Sequence, residues 1–246
     1  MNFKEIEEAY CRTFPVAEVK IQGWLLRTSD SKVRRENSVQ VFDAGGVDIE
    51  SQVSACEKLF DKLGKPAQFR LFSPVDNSKL TSILQARGYF SPDSSYVMLT
   101  DLQSFAPDLK PAQEGAQFRL NSLDEWILSY CLVSGKSLKQ GEKMKKALKH
   151  SEESSCFGTF ELQGAPVSAG LSATNGGFCG IFNVWTASEY RGAGFASLLV
   201  SSLLSEAKAL GAATAYLQVS QDNLAALKVY RKMGFEAAYE YCYWVK

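Results

Sequence analysis

Residues 184–196 read Val184-Trp185-Thr186-Ala187-Ser188-Glu189-Tyr190-Arg191-Gly192-Ala193-Gly194-Phe195-Ala196: an apolar strand, a short loop, then a glycine turn that opens a helix. Such a turn leaves backbone N–H groups pointing outward where the helix begins. Those orphan donors and the helix macrodipole together make an anion site, most naturally for phosphate. Gly192 and Gly194 carry no Cβ and let the backbone approach a ligand closely. Arg191 adds a fixed positive charge at the mouth of the turn. The following helix, 195–210, sets Leu198, Leu199, Leu203 and Leu204 on one stripe, and Gly211 is its natural stop. Two other phosphate turns are excluded, because the lysine and Ser/Thr of a P-loop are missing and the first glycine of the dinucleotide fingerprint is absent.

Downstream, residues 214–219 alternate and are β-branched enough for a strand. Ser220-Gln221-Asp222-Asn223 then turns into a helix at 224–233, closed by Gly234-Phe235. Tyr230 lies two helical turns beyond Asn223, so both can face one cleft. In this arrangement Arg191-Gly192-Ala193-Gly194-Phe195-Ala196 resembles the R/Q-x-x-G-x-G/A signature of the GNAT N-acetyltransferases. Asn223, Ala226, Tyr230, Gly234 and Phe235 are similar in spacing to that superfamily's second signature. The resemblance covers roughly residues 118–246.

The resemblance implies an α/β (α+β) fold, a mixed and mostly antiparallel sheet flanked by helices, and transfer of an acetyl group from acetyl-CoA to a primary amine. It places the diphosphate on the amides of Gly192, Ala193, Gly194, Phe195 and Ala196, with Arg191 helping to hold it. Val184, Trp185 and Thr186 would lie beside the pantetheine arm, and an N–H near Val184 would steady the oxygen on which charge develops. Tyr230 would give a proton to the departing thiolate as general acid, with Asn223 holding the pantetheine or orienting Tyr230. No metal is implied. The chain departs from the family at the general base: Cys179-Gly180-Ile181-Phe182-Asn183 holds no acid. A water relay, Glu161, Glu240 or the acceptor's own pKa remain as alternatives.

Composition narrows the class. The 246 residues carry 27 Lys plus Arg against 27 Asp plus Glu, a balance that predicts neither nucleic-acid nor membrane attachment. Six scattered cysteines without a C-x-x-C pair argue for reduced thiols rather than a disulfide framework or zinc site. The first thirty residues carry Glu5, Glu7 and Glu8 and no apolar core, so no secretory signal is expected, and no apolar run approaches membrane-spanning length. A cytoplasmic protein is expected, with a small-molecule or peptide amine as its partner.

The Pro- and Gly-rich stretch 106–115 suggests a boundary, giving an N-terminal domain at 1–106, a linker at 107–115 and a catalytic domain at 116–246. The N-terminal part reads as helix 3–14, strands 23–28 and 38–42, helix 50–63, strand 67–71, helix 78–87 and strand 96–102. After the boundary come strand 118–120, helices 123–134 and 139–150, and strands 156–162 and 167–174. The halves echo each other: Asn77 to Gly88 repeats the spacing of Asn223 to Gly234, and helix, Gly64, strand repeats helix, Gly211, strand. The first half is thus a smaller, degenerate GNAT-like copy. Leu84 stands where Tyr230 stands, and the acidic turn 43–48 replaces the arginine–glycine turn.

Each feature has a plainer reading. The glycine turn can be a tight connection without ligand, Tyr230 a half-buried aromatic, and Asn223 a helix N-cap. His150 and the lysines of 136–149 suit a solvated helix, with a border of the acceptor cleft as the sharper alternative. Arg34, Arg35 and Asn37 form a polar cluster that suits solvent, an acceptor contact or an interdomain contact. A non-catalytic CoA-binding sensor or interaction module on the same fold is the alternative function.

Overall fold

The computed structural model describes residues 2–46, 48–107 and 113–246. Residues 108–112 of the expected linker and Val47 of the acidic turn lie outside them. The first half runs α1 (Phe3–Thr13), β1 (Ala17–Ile21), β2 (Trp24–Thr28), a 3₁₀ turn (Arg34–Glu36), β3 (Ser38–Val41), α2 (Ile49–Lys62), β4 (Phe69–Phe72), α3 (Ser78–Ala86) and β5 (Ser94–Asp101). The second runs β6 (Ala116–Asn121), α4 (Leu123–Ser134), α5 (Leu138–Leu148), β7 (Ser155–Leu162), β8 (Ala165–Asn175), β9 (Phe178–Thr186), α6 (Phe195–Ala209), β10 (Thr214–Ser220), α7 (Leu224–Lys232) and β11 (Glu236–Trp244). Helices start where the sequence supplies caps: Ser122 with Glu125 and Ser137 with Gln140 form capping boxes for α4 and α5.

Among the described residues the eleven strands form one sheet, in the order β1-β2-β3-β4-β11-β5-β10-β9-β8-β7-β6. The order is nearly palindromic. Parallel β3 and β4 are joined through α2, as parallel β9 and β10 are joined through α6. The last strand of each half is exchanged: β5 pairs with β10, β11 pairs with β4, and the two pair with each other. The repeat read from the sequence is therefore realised as two βαβ units related across the β5–β11 pair.

The copies differ where the chemistry differs. Gly88 and Gly234 both close their helices at φ 85° and 84°. Asn223 caps α7 through the Ala226 N–H, whereas Asn77 turns its amide to the carbonyls of Phe72 and Val75. Before α2, Asp43 accepts from the Gly45 N–H and Asp48 from the Ser51 N–H. Acids thus occupy amides in the turn that stands where the glycine turn stands in the second half.

Two strands were not expected from sequence. β1 alternates Ala17, Val19 and Ile21 with Glu18 and Lys20 but is exposed along almost its whole length, while β11 buries Tyr239, Tyr241 and Tyr243. The remaining elements match the expected types with end shifts of at most two residues, the ordinary behaviour of fraying ends, except β9, which begins at Phe178, six residues before the strand read from Val184.

One apolar cluster lies under α6 and α7, with Leu198, Leu199, Leu203 and Leu204 buried in it. The opposite side of the central strands packs on α1, α4 and α5, where Trp126 stacks on Tyr130 at 4.9 Å. Inside this second layer sits a fully buried ion pair. Arg70 on β4 makes a two-pronged contact with Glu7 on α1, one prong 3.2 Å, and Tyr239 on β11 donates to the same carboxylate at 2.8 Å. One carboxylate thereby ties α1, the first half and the exchanged C-terminal strand together.

Candidate active site

β9 and β10 pair in parallel from Phe178 and Thr214 to Ile181 and Leu217, and there the pairing stops. Both strands continue, to Thr186 and Ser220, so the sheet opens into a split. A bulge starts the divergence. Phe182 pairs with Leu171 and Trp185 with Ala169, which leaves Asn183 and Val184 together opposite Gly170. Asn183 is held at φ 52°, a conformation that Asn tolerates better than most side chains. Gly170 fits closely there, since a Cβ would stand 3.3 Å from Val184 Cγ2 and 3.2 Å from Leu199 Cδ2, tight contacts that those side chains would have to relax.

At the outer end of β9 the chain passes a single 3₁₀ turn, Ser188–Tyr190, and enters α6 through Gly192 and Gly194, at φ 80° and 88°. Ala193 and Arg191 donate weakly, at 3.4 Å, to Tyr190 and Ser188. Among the described residues the amides of Gly192, Gly194, Phe195, Ala196 and Ser197 meet no protein acceptor, and no acid occupies the first turn of α6. A Cβ added at Gly192 would touch nothing within 4 Å. This is an open cradle of N–H donors at the positive end of a fifteen-residue helix.

A cavity of about 870 Å³ adjoins the turn. Ala193, Gly194 and Ser197 wall one side, Thr100 and Glu236 another, and Lys232 brings a positive charge from the end of α7. Tyr230 and Asn223 do not line it. Tyr230 instead flanks, with Val184, Tyr190 and Ala226, the apolar cluster beneath α6, its ring edge-on to Phe235 at 5.9 Å. Burial pushes its phenol up to about 12. Asn223 is exposed and spends its side-chain oxygen on the cap, so among the described residues no hydrogen bond joins it to Tyr230.

Arg191 does not cover the turn but reaches back along β9. Its Nε donates to the Thr186 carbonyl at 3.3 Å and its guanidinium lies 5.5 Å from the Trp185 ring. Lys136 approaches the same ring at 5.3 Å. Trp185, 38 % exposed, is therefore bracketed by two cations, and the Thr186 carbonyl already has a donor. Other candidates lie elsewhere: Glu161 pairs with Arg119 on β7 and β6, Glu240 is exposed on β11, and His150 is exposed beyond α5. Asn183 and Gln218, which border the split, were missed as site residues. An Asn inside an apolar run was the available signal for the first.

Among the described residues no three His, Cys, Asp or Glu side chains are grouped to hold a metal, and no helix is long and apolar enough to cross a membrane. The six cysteines are free thiols.

Residues 120–235 match the Acetyltransferase (GNAT) family. Over its whole length the chain is 26% identical to an uncharacterized N-acetyltransferase, YobR, of Bacillus subtilis, covering 99% of that protein. Its fold is shared with a GCN5-related N-acetyltransferase from Kribbella flavida (TM-score 0.78, 14% identity, 98% of this chain and 94% of that one). A tandem GNAT protein from the clavulanic acid biosynthesis pathway also shares it (TM-score 0.64, 13% identity, 80% and 68%).

Proposed function

Starting from a GNAT acetyltransferase domain at residues 120–235, we propose that this acyltransferase moves an acetyl group from acetyl-CoA directly to a primary amine. The observation that carries the reading is the split between β9 and β10, which opens beside a helix whose first amides meet no acceptor among the described residues. The same observation is the test of fit: the cradle is open, glycine-lined and without acids, as a diphosphate requires.

Bound acetyl-CoA supplies an activated acetyl thioester. The amides of Gly192, Gly194, Phe195 and Ala196 would hold its diphosphate, with Arg191 adding long-range attraction from beside Trp185. The free edge of β9 past Ile181 would pair with the amide-bearing arm, leaving Val184 rather than Thr186 as the main contact, since the Thr186 carbonyl serves Arg191. A backbone N–H of the bulge would donate to the carbonyl oxygen as it gains charge. Tyr230 would present a protonated phenol to the sulfur. A phenol near 12 keeps its proton more firmly than an ordinary thiol near 8.5 does, so donation of a hydrogen bond is the larger part of its role. Asn223 would act through the cap that fixes α7. The reduced thiols accord with a cytoplasmic protein, and the first half would form one wall of the acceptor site, with the boundary at 107–115.

The test is thiol release from acetyl-CoA across a panel of small amines and peptides. Steady release with one acceptor class supports transfer; tight acetyl-CoA binding with no release from any amine favours the non-catalytic sensor. Gly192→Val tests the cradle. Its Cβ meets no protein atom, and the left-handed backbone strain is about 1–2 kcal/mol. The acetyl-CoA Kd should rise about 10- to 100-fold through lost charge-assisted hydrogen bonds. Gly211→Ala, at φ 87° beyond the far end of α6, has similar strain and should leave Kd unchanged in the same calorimetric titration.

A further inference from the structure

The split has a second face. Leu217 and Val219 of β10 point into the cluster beneath α6, whereas Tyr216 packs on the opposite side against Phe182, at 5.9 Å. Gln218 is the first residue of β10 beyond the last β9 pair, and alternation places it on the Tyr216 side. A residue of the first half meets it there. Arg35, in the 3₁₀ turn Arg34–Glu36, donates from Nη1 to Gln218 Oε1 at 2.6 Å, with its guanidinium 5.3 Å from the Tyr10 ring.

Arg35 stands apart from its neighbours. Residues 1–106 contain six arginines. Arg12, Arg27, Arg34, Arg70 and Arg87 each pair with a carboxylate: Glu8, Glu18, Asp93, Glu7 and Glu57. Among the described residues Arg35 has none, although it is half-buried. The surrounding groups are donors in want of acceptors. Gln218 Nε2 and Tyr243 Oη are buried without a hydrogen-bond partner among the described residues, and Tyr243 is, with Tyr10 and Tyr241, one of the phenols that interact electrostatically with Arg35. A shielded cation without a counter-charge, amid unsatisfied donors, calls for an anion with several acceptor atoms. One uncompensated charge suits a carboxylate better than a phosphate dianion, because Arg70 beside it is already neutralised by Glu7.

We infer that Arg35, with Gln218 and Tyr243, anchors a carboxylate of the acceptor, so that the substrates are small amino-carboxylates such as amino acids. The inference rests on the amine-directed reading above and deepens it. It also gives the first half a task, since the half without a free-amide cradle supplies the specificity group. The acceptor then enters on the face opposite α6, its carboxylate on Arg35 and its amine toward the split.

The experiment compares the common L-amino acids with their carboxamides, in the wild type and in Arg35→Gln and Arg35→Lys. For the accepted amino acid, kcat/KM should exceed that of its carboxamide by about 30-fold or more, mostly through KM. Arg35→Gln should erase the preference while leaving the acetyl-CoA Kd and Tm near wild type; Arg35→Lys should keep part of it. Equal use of carboxamides by the wild type, or an unchanged preference in Arg35→Gln, overturns the anchor. If no amine releases thiol, the transfer reading fails, and calorimetric titration of the same panel decides the anchor alone. Amino-acid binding lost in Arg35→Gln upholds it, and binding indifferent to the carboxylate ends it.

Discussion

Tyr230→Phe should lower kcat by about 10²- to 10³-fold, the range of a removed proton or hydrogen-bond donor in the transition state, while the acetyl-CoA Kd stays within about twofold. The ring remains, so its edge contact with Phe235 and its place in the cluster beneath α6 are kept. Only the hydroxyl is lost, and no protein group accepts from it among the described residues, so the stability change should be small. A phenol raised to about 12 by burial also fixes the sign of the pH dependence. The raised value keeps the proton on, so wild-type kcat should climb as the acceptor amine deprotonates and show no Tyr230-linked decline up to about pH 10. Stopped-flow and steady-state thiol assays from pH 6 to 10 measure both effects. Full activity in the variant would remove the phenol from the mechanism.

Glu7→Ala should destabilise the fold by about 3–5 kcal/mol, because it strands a fully buried guanidinium that keeps its charge. Arg70 would retain only Gln40 at 3.0 Å, a weaker contact to Gln218 and the faces of Tyr241 and Phe72, at 3.9 and 4.7 Å, none of which carries a counter-charge. The Tyr239 hydroxyl would lose its acceptor as well. For a chain of this length the loss corresponds to roughly 10 °C in Tm. The paired replacement Glu7→Leu with Arg70→Met should cost far less than either single change, since it removes both charges at once. Urea unfolding of Glu7→Ala, Glu7→Leu, Arg70→Met and the double variant measures this. Additive losses would mean that the pair contributes no coupling, and that the exchanged strand is held by its pairing with β4 and β5 and by apolar packing.

What the sequence makes legible follows from how local each feature is. The glycine turn, the α6 stripe, the caps and the Asn-to-Gly spacing of α3 and α7 depend on residues a few positions apart, and they read correctly. The echo of the two halves was visible for the same reason. The exchange of β5 and β11 was not, because it depends on which partners lie far away in the chain. β1 and β11 each carry a period-two signal, Ala17, Val19 and Ile21 in the first and Tyr239, Tyr241 and Tyr243 in the second, although β1 as an exposed edge strand buries almost none of it. The site divides likewise. The cradle is contiguous and could be named, but its opening depends on the bulge at Asn183–Val184, which hides within an apolar run. Arg191 was expected over the turn, and the aromatic face of Trp185 draws it back along β9. Arg35 looked like one of three surface polar residues; only the fold brings it to Gln218, across most of the chain.

A crystal structure of the protein with acetyl-CoA tests the central claim most directly. Diphosphate oxygens within hydrogen-bonding distance of the Gly192, Gly194, Phe195 and Ala196 amides are expected, with the thioester lodged between β9 and β10 beyond Ile181 and Leu217. Coenzyme bound away from the start of α6, or a split closed by side chains while coenzyme sits elsewhere, would contradict it.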